Sequence, residues 1–190
     1  CYFHKSCDLK QAVTDLIISK SFDNGMICAS EQAAIVDKEI ADEFRRLMED
    51  GGCYFADDDE IEKIASYCID NTKGAVNSEI VGQSAKWIAD RAGVKGVSEN
   101  TKILVCKIAG VGEQYPLSRE KLSPVLGLLI ADSTKMGIEL AEKMIEFNGM
   151  GHSAVIHAND KNVIDEFSLR MKASRIIVNS PSSHGAIGDL

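Results

Sequence analysis

Apolar positions recur along the chain in two alternating periods, one helical and one extended. Leu9, Ala12, Val13, Leu16 and Ile17 share one helical face, with Asp8 as N-cap and Asn24-Gly25 as a left-handed stop. Residues 33–36 form an apolar run that reads as a strand. Ile40, Phe44, Leu47 and Met48 make a second helical stripe, closed by Gly51-Gly52, before a short strand at Cys53–Phe55. Asp57-Asp58-Asp59-Glu60 opens a helix whose buried stripe is Ile61, Ile64, Ala65 and Cys68. Four acids at a helix start complement its dipole, and they lack the alternating ligands and the bend glycine of a calcium loop.

The alternation continues to the end. Ala85, Ile88, Ala89 and Ala92 line a helix stopped by Gly93, with Trp87 off the stripe as a surface contact or part of an interface. Residues 101–108 read as a strand and 109–116 as a loop. Residues 125–130 are apolar throughout, as expected of a strand covered on both faces. Leu140, Ala141, Met144 and Ile145 mark a helix, 154–157 a strand, Ile164, Phe167 and Met171 a helix, and Arg175–Val178 a last strand. Residues 179–190, rich in Ser and Gly, read as a loop. The pattern predicts an α/β layered domain with a largely parallel sheet.

Composition narrows the class. With 190 residues, 45% hydrophobic, the chain suits one globular domain spanning 1–190, without a linker or internal repeat. A net charge of -8 argues against a nucleic-acid or anionic-membrane surface, while leaving room for a local basic patch that binds a nucleotide. No apolar run approaches the roughly 20 residues of a membrane span. The opening Cys1-Tyr2-Phe3-His4-Lys5 lacks a signal peptide's features and an initiator methionine, which predicts a piece of something longer. Six cysteines, at 1, 7, 28, 53, 68 and 106, show no CxxC and no paired histidine spacing. They read as reduced thiols of a cytoplasmic protein with no metal site, Cys68 and Cys106 in the core.

Cys28 is the candidate nucleophile. It follows a glycine-terminated helix, in a turn where backbone N–H groups can stabilise a thiolate or an oxyanion. For a lone cysteine a small buried hydrophobe is the commoner reading. Glu120, before the all-apolar strand, can accept two hydrogen bonds from a ribose diol, or be solvated. His152, on a glycine-flanked turn, suits proton transfer near neutrality, or a hydrogen bond at a strand entrance. His157 lies within a strand pattern and reads as structural, and His4 has no supporting context. No glycine-rich dinucleotide fingerprint follows a strand.

Four blocks change these odds: Ser21 to Gln32 around Cys28, Arg119-Glu120-Lys121-Leu122-Ser123-Pro124, Gly149-Met150-Gly151-His152-Ser153, and Arg175 to Ser183. In this order they resemble the aldehyde dehydrogenase superfamily over nearly the whole chain. More narrowly, they resemble the CoA-acylating aldehyde dehydrogenases fused to an alcohol dehydrogenase. The resemblance implies an aldehyde-dehydrogenase-like catalytic domain whose Rossmann-like cofactor half lies mostly upstream of Cys1. It implies that the chain continues toward an oligomerisation hairpin, hence a homo-oligomer with a possible fused alcohol dehydrogenase. Cys28 would form a thiohemiacetal and then a thioester, Glu120 would hold the nicotinamide ribose of NAD, and Leu122 would pack near the nicotinamide. His152 would take the proton of the CoA thiol or polarise the thioester.

The implied reaction interconverts acetaldehyde, CoA and NAD+ with acetyl-CoA and NADH. Succinic semialdehyde or another short aldehyde is the alternative substrate. Leu122 and Ser123 stand where most of the superfamily has an aromatic and a glycine, and His184 where close relatives usually carry glutamine. Two rival readings are a non-catalytic assembly module and a cysteine hydrolase using Cys28 and His152. The hydrolase lacks the expected elbow and orienting acid.

Overall fold

Nine strands form in a computed structural model that describes residues 1–70 and 74–188. They are β1 (Tyr2–Phe3), β2 (Ala33–Asp37), β3 (Cys53–Phe55), β4 (Ile69–Asp70), β5 (Ala75–Val76), β6 (Ile103–Lys107), β7 (Val125–Ala131), β8 (Ser153–His157) and β9 (Arg175–Val178). β4 and β5 make a small antiparallel pair. The other seven build one sheet in the order β3-β6-β7-β2-β1-β8-β9, every neighbouring pair parallel. Seven helices accompany them: α1 (Leu9–Ser21), α2 (Ala41–Asp50), α3 (Asp58–Cys68), α4 (Ala85–Ala92), α5 (Thr134–Met144), α6 (Lys161–Arg170) and α7 (Ser182–Ile187).

The strands are apolar on both faces because helices cover both. Phe3, Ala34, Val36, Leu126 and Leu128 pack with Val13 and Leu16 of α1 and Phe44 and Met48 of α2. Their alternating neighbours Tyr2, Ile35, Leu129 and Ile156 pack with Ile138 of α5 and Phe167 of α6. On that same face, Leu104, Cys106 and Val125 meet Ile64 and Cys68 of α3 and Ile88 of α4. The predicted core thiols Cys68 and Cys106 are fully buried. Asp57 caps α3 through a reciprocal box with Glu60, as the acid run implies.

Besides the small β4–β5 pair, which the pattern also left unread, two elements depart from the pattern reading. The first five residues carry no predicted element, yet β1 pairs with β2 and β8 near the middle of the sheet. Two residues are too few to show a period, and β1 is fixed by contacts remote in sequence. The Tyr2 hydroxyl donates to Asp37 Oδ1 at 2.8 Å, and Phe3 stacks on His157 with ring centroids 5.0 Å apart. The stretch predicted as a loop from 179 contains α7, while Asp189 and Leu190 lie outside the described residues. This helix has no apolar stripe because it docks on α1 through small residues, the Ser183 amide donating to Ser19 Oγ at 3.0 Å. Trp87 is half-buried at the rim of the α3–α4 cluster, tilted against Tyr67 with the Arg91 guanidinium over its ring.

Candidate active site

Three loops lead into β2, β7 and β8 of the sheet. The first joins α1 to β2. After α1, Asp23, Asn24 and Gly25 all take left-handed backbone, with φ of 48°, 51° and 71°. Asn24 tolerates this region and glycine adopts it freely. The chain then turns through Met26 to Ser30, where the Ser30 amide donates to the Ile27 carbonyl at 2.9 Å and leaves Cys28 exposed. The second loop carries Glu120 into β7, and the third carries His152 into β8, its amide donating to the Gly149 carbonyl at 3.0 Å.

β7, β2, β1 and β8 are consecutive in the sheet. The three loops therefore meet at its amino edge. Cys28, Glu120 and His152 line one cavity of about 100 Å³, with Glu31, Gln32, Ser118, Ile145 and Val155. Open α/β sheets commonly bind ligands beyond the carboxyl ends of their strands. This cavity is at the opposite edge.

Behind the Cys28 turn lies a layer of buried charge. Lys20, the last polar residue on the inner face of α1, is fully buried and donates to Ser30 Oγ at 3.2 Å. Burial holds its ammonium pKa well below the usual lysine value, with Lys121 adding to the effect. Glu31 accepts the Ser182 amide on Oε1 at 3.3 Å, while its Oε2 is buried with no hydrogen-bond partner among the described residues. Burial pushes this carboxyl up. Lys121 is also fully buried, and its ammonium donates to the carbonyls of Leu117, Arg119 and Gln32 at 2.6, 2.7 and 3.1 Å. Burial lowers its pKa to about 8.

No family model matches the chain. The acetylating aldehyde dehydrogenase of Geobacillus thermoglucosidasius superposes with a TM-score of 0.94 at 40% identity, covering 99% of this chain and 41% of that one. Aldehyde-alcohol dehydrogenase 2 of Entamoeba histolytica is 48% identical over 196 residues, all of this chain and 22% of the relative. Over its whole length the chain is thus similar in sequence and in fold to aldehyde dehydrogenases. A further relative, the acetylating succinate-semialdehyde dehydrogenase of Clostridium kluyveri, is 37% identical over 94% of this chain and 39% of its own length. The chain thus spans well under half of each of these aldehyde dehydrogenases.

Within this aldehyde dehydrogenase fold, Cys28, Glu120 and His152 share the cavity, and Leu122 does not line it. Leu122 is half-buried with φ of 44°, and its carbonyl accepts the Gly82 amide at 3.1 Å. His184, on α7, is also outside the lining. His157 is buried in β8, and His4 is buried with its ring nitrogens on Ser6 and Thr134. Among the described residues no three His, Cys, Asp or Glu converge to hold a metal, and no helix is long and apolar enough to cross a membrane. Glu120 lines the cavity and receives no side-chain hydrogen bond from the described residues, so its oxygens are available as acceptors.

Sequence reasoning missed Lys20, Glu31 and Lys121. Lys20 had a signal: it continues the 13, 16, 17 stripe of α1, a polar residue where an apolar one belongs. Lys121 and Glu31 sit in loops, where no period marks burial.

Proposed function

We propose that this chain is the nucleophile-bearing part, residues 1–190, of a longer NAD-dependent, CoA-acylating aldehyde dehydrogenase. The observation that supports it is the meeting of Cys28, Glu120 and His152 in one cavity at the amino edge of the sheet. The Cys28 thiolate attacks the aldehyde carbonyl carbon and forms a thiohemiacetal. Bound NAD+ supplies the hydride acceptor, with Glu120 holding its nicotinamide ribose and Leu122 packing near the nicotinamide. Loss of hydride leaves a thioester on Cys28, whose sulfur leaves readily when a second thiol attacks. His152 takes the proton of the CoA thiol, CoA displaces Cys28, and the acyl-CoA departs.

Acetaldehyde and acetyl-CoA are the proposed pair, and succinic semialdehyde is the second reading, favoured by the name of the Clostridium kluyveri relative. The Rossmann-like cofactor half is placed upstream. A homo-oligomer, a fused alcohol dehydrogenase and a cytoplasmic location complete the proposal. The test is NADH oxidation by the full-length parent with acetyl-CoA and succinyl-CoA. Turnover that disappears in Cys28→Ala is expected, and the preferred acyl-CoA separates the two substrates. No Cys28-dependent oxidation with either would overturn the assignment and favour an assembly module.

A further inference from the structure

We propose that Lys121 is a positioning residue that locks the Glu120 segment to the nucleophile segment. A fully buried ammonium is costly, and it persists only when its protons are all donated. Here each goes to a backbone carbonyl, and no carboxylate pairs with it among the described residues. Two of the carbonyls, Leu117 and Arg119, belong to the loop that carries Glu120. The third, Gln32, lies 89 residues away in sequence, at the end of the Cys28 turn.

A second bond runs between the same two segments, from the Lys121 amide to Gln32 Oε1 at 3.0 Å. Gln32 in turn donates through Nε2 to the Ser30 carbonyl at 2.8 Å, which ties the clamp to the turn itself. The consequence for Glu120 is directional. With the Arg119 carbonyl and the Lys121 side chain both committed to the interior, the intervening Glu120 side chain is left to the cavity. A lysine is suited to this work because three rotatable N–H donors on a flexible stem can collect carbonyls from different directions.

The titratable groups that face Lys121 are Glu120 beside it, Lys20 of α1, and the thiols Cys68 at the end of α3 and Cys106 of β6, which burial keeps neutral around pH 8. Its pKa of about 8 means that the clamp loses a donor within an accessible range of pH. Losing that proton should loosen the Glu120 loop.

The inference rests on the reading of Glu120 as the ribose-binding residue. Its test is NAD binding by the full-length parent in a Cys28→Ala background, which removes the nucleophile. Lys121→Met should weaken NAD by about tenfold, the size of a lost charged hydrogen bond. The background protein should lose NAD affinity as pH rises through about 8, and Lys121→Met should abolish that limb. Unchanged affinity and an unchanged pH profile in Lys121→Met, with Glu120→Gln still weakening NAD, would overturn the clamp alone. Unchanged affinity in Glu120→Gln would overturn the ribose reading and this proposal with it. If Lys121→Met does not fold, the pH profile decides: a flat affinity from pH 7 to 9.5, values chosen to bracket the expected midpoint by roughly one unit or more, overturns the clamp.

Discussion

A Cβ placed on Gly25 would stand 2.6 Å from the carbonyl oxygen of Ser123. The backbone leading into the Cys28 turn is thus in direct contact with the segment that carries Glu120 and Lys121. Gly25 also has φ of +71°, so two independent constraints require glycine there. This backbone contact and the Lys121 hydrogen bonds both join the Cys28 segment to the Glu120 segment.

Gly25→Ala should therefore destabilise the protein by about 1–3 kcal/mol from backbone strain, with the Ser123 contact adding to it. Gly93→Ala is the control, since its φ is +80° with nothing within 4 Å of an added Cβ. Urea unfolding should show the larger loss at Gly25. Equal losses would mean that the contact with Ser123 carries no energy.

Thiol labelling at neutral pH should modify Cys28 first. It is exposed, whereas Cys53, Cys68 and Cys106 are buried with thiols pushed up to about 12 by burial. Cys7, partly buried, is pushed up to about 11. A reactive site depends on thiolate and access together. Peptide mass spectrometry gives the order, and Cys28 reacting no faster than the buried three would remove it as nucleophile.

The isolated 190 residues should fold yet bind no NAD. Glu120 alone offers about 1.5–3 kcal/mol of charged hydrogen bonding, against roughly 5–8 kcal/mol for millimolar-to-micromolar affinity. Phe22, Met26 and Met150, chain neighbours of the cavity residues, are also exposed, which favours self-association. Calorimetric titration is the test. Micromolar binding to this chain would place the cofactor site within it and overturn the upstream cofactor half.

Acid should weaken the fold partly through His157. Burial lowers its pKa from 6.5 to about 4. The unfolded chain takes up the proton below about 6.5 and the folded one resists until about 4, so stability falls as pH drops through that window. Denaturant unfolding at pH 7, 5.5 and 4, spaced by about one and a half units to span this linkage, should show a shallower decline in His157→Gln. An identical decline would mean that His157 is protonated in the native protein.

The local pattern of the chain was enough to determine its α/β class, six of its seven sheet strands nearly in full, and the amphipathic helices between them. Strands such as β7 and helices such as α3 write their burial into a period, because each repeats one environment over several residues. The blocks around Cys28, Glu120 and His152 likewise pointed to candidate chemistry, since each is a short segment legible by itself. What the sequence left open was decided between segments. β1 is a strand because Tyr2 and Phe3 fall between β2 and β8, and α7 is a helix docked by serines that carry no apolar signature. The meeting of three loops at one sheet edge follows from strand order, and the burial of Lys20, Glu31 and Lys121 follows from what packs over them. A period records the environment a residue shares with its chain neighbours. Strand order and loop burial are set by partners tens of residues away, and only the assembled sheet brings those together.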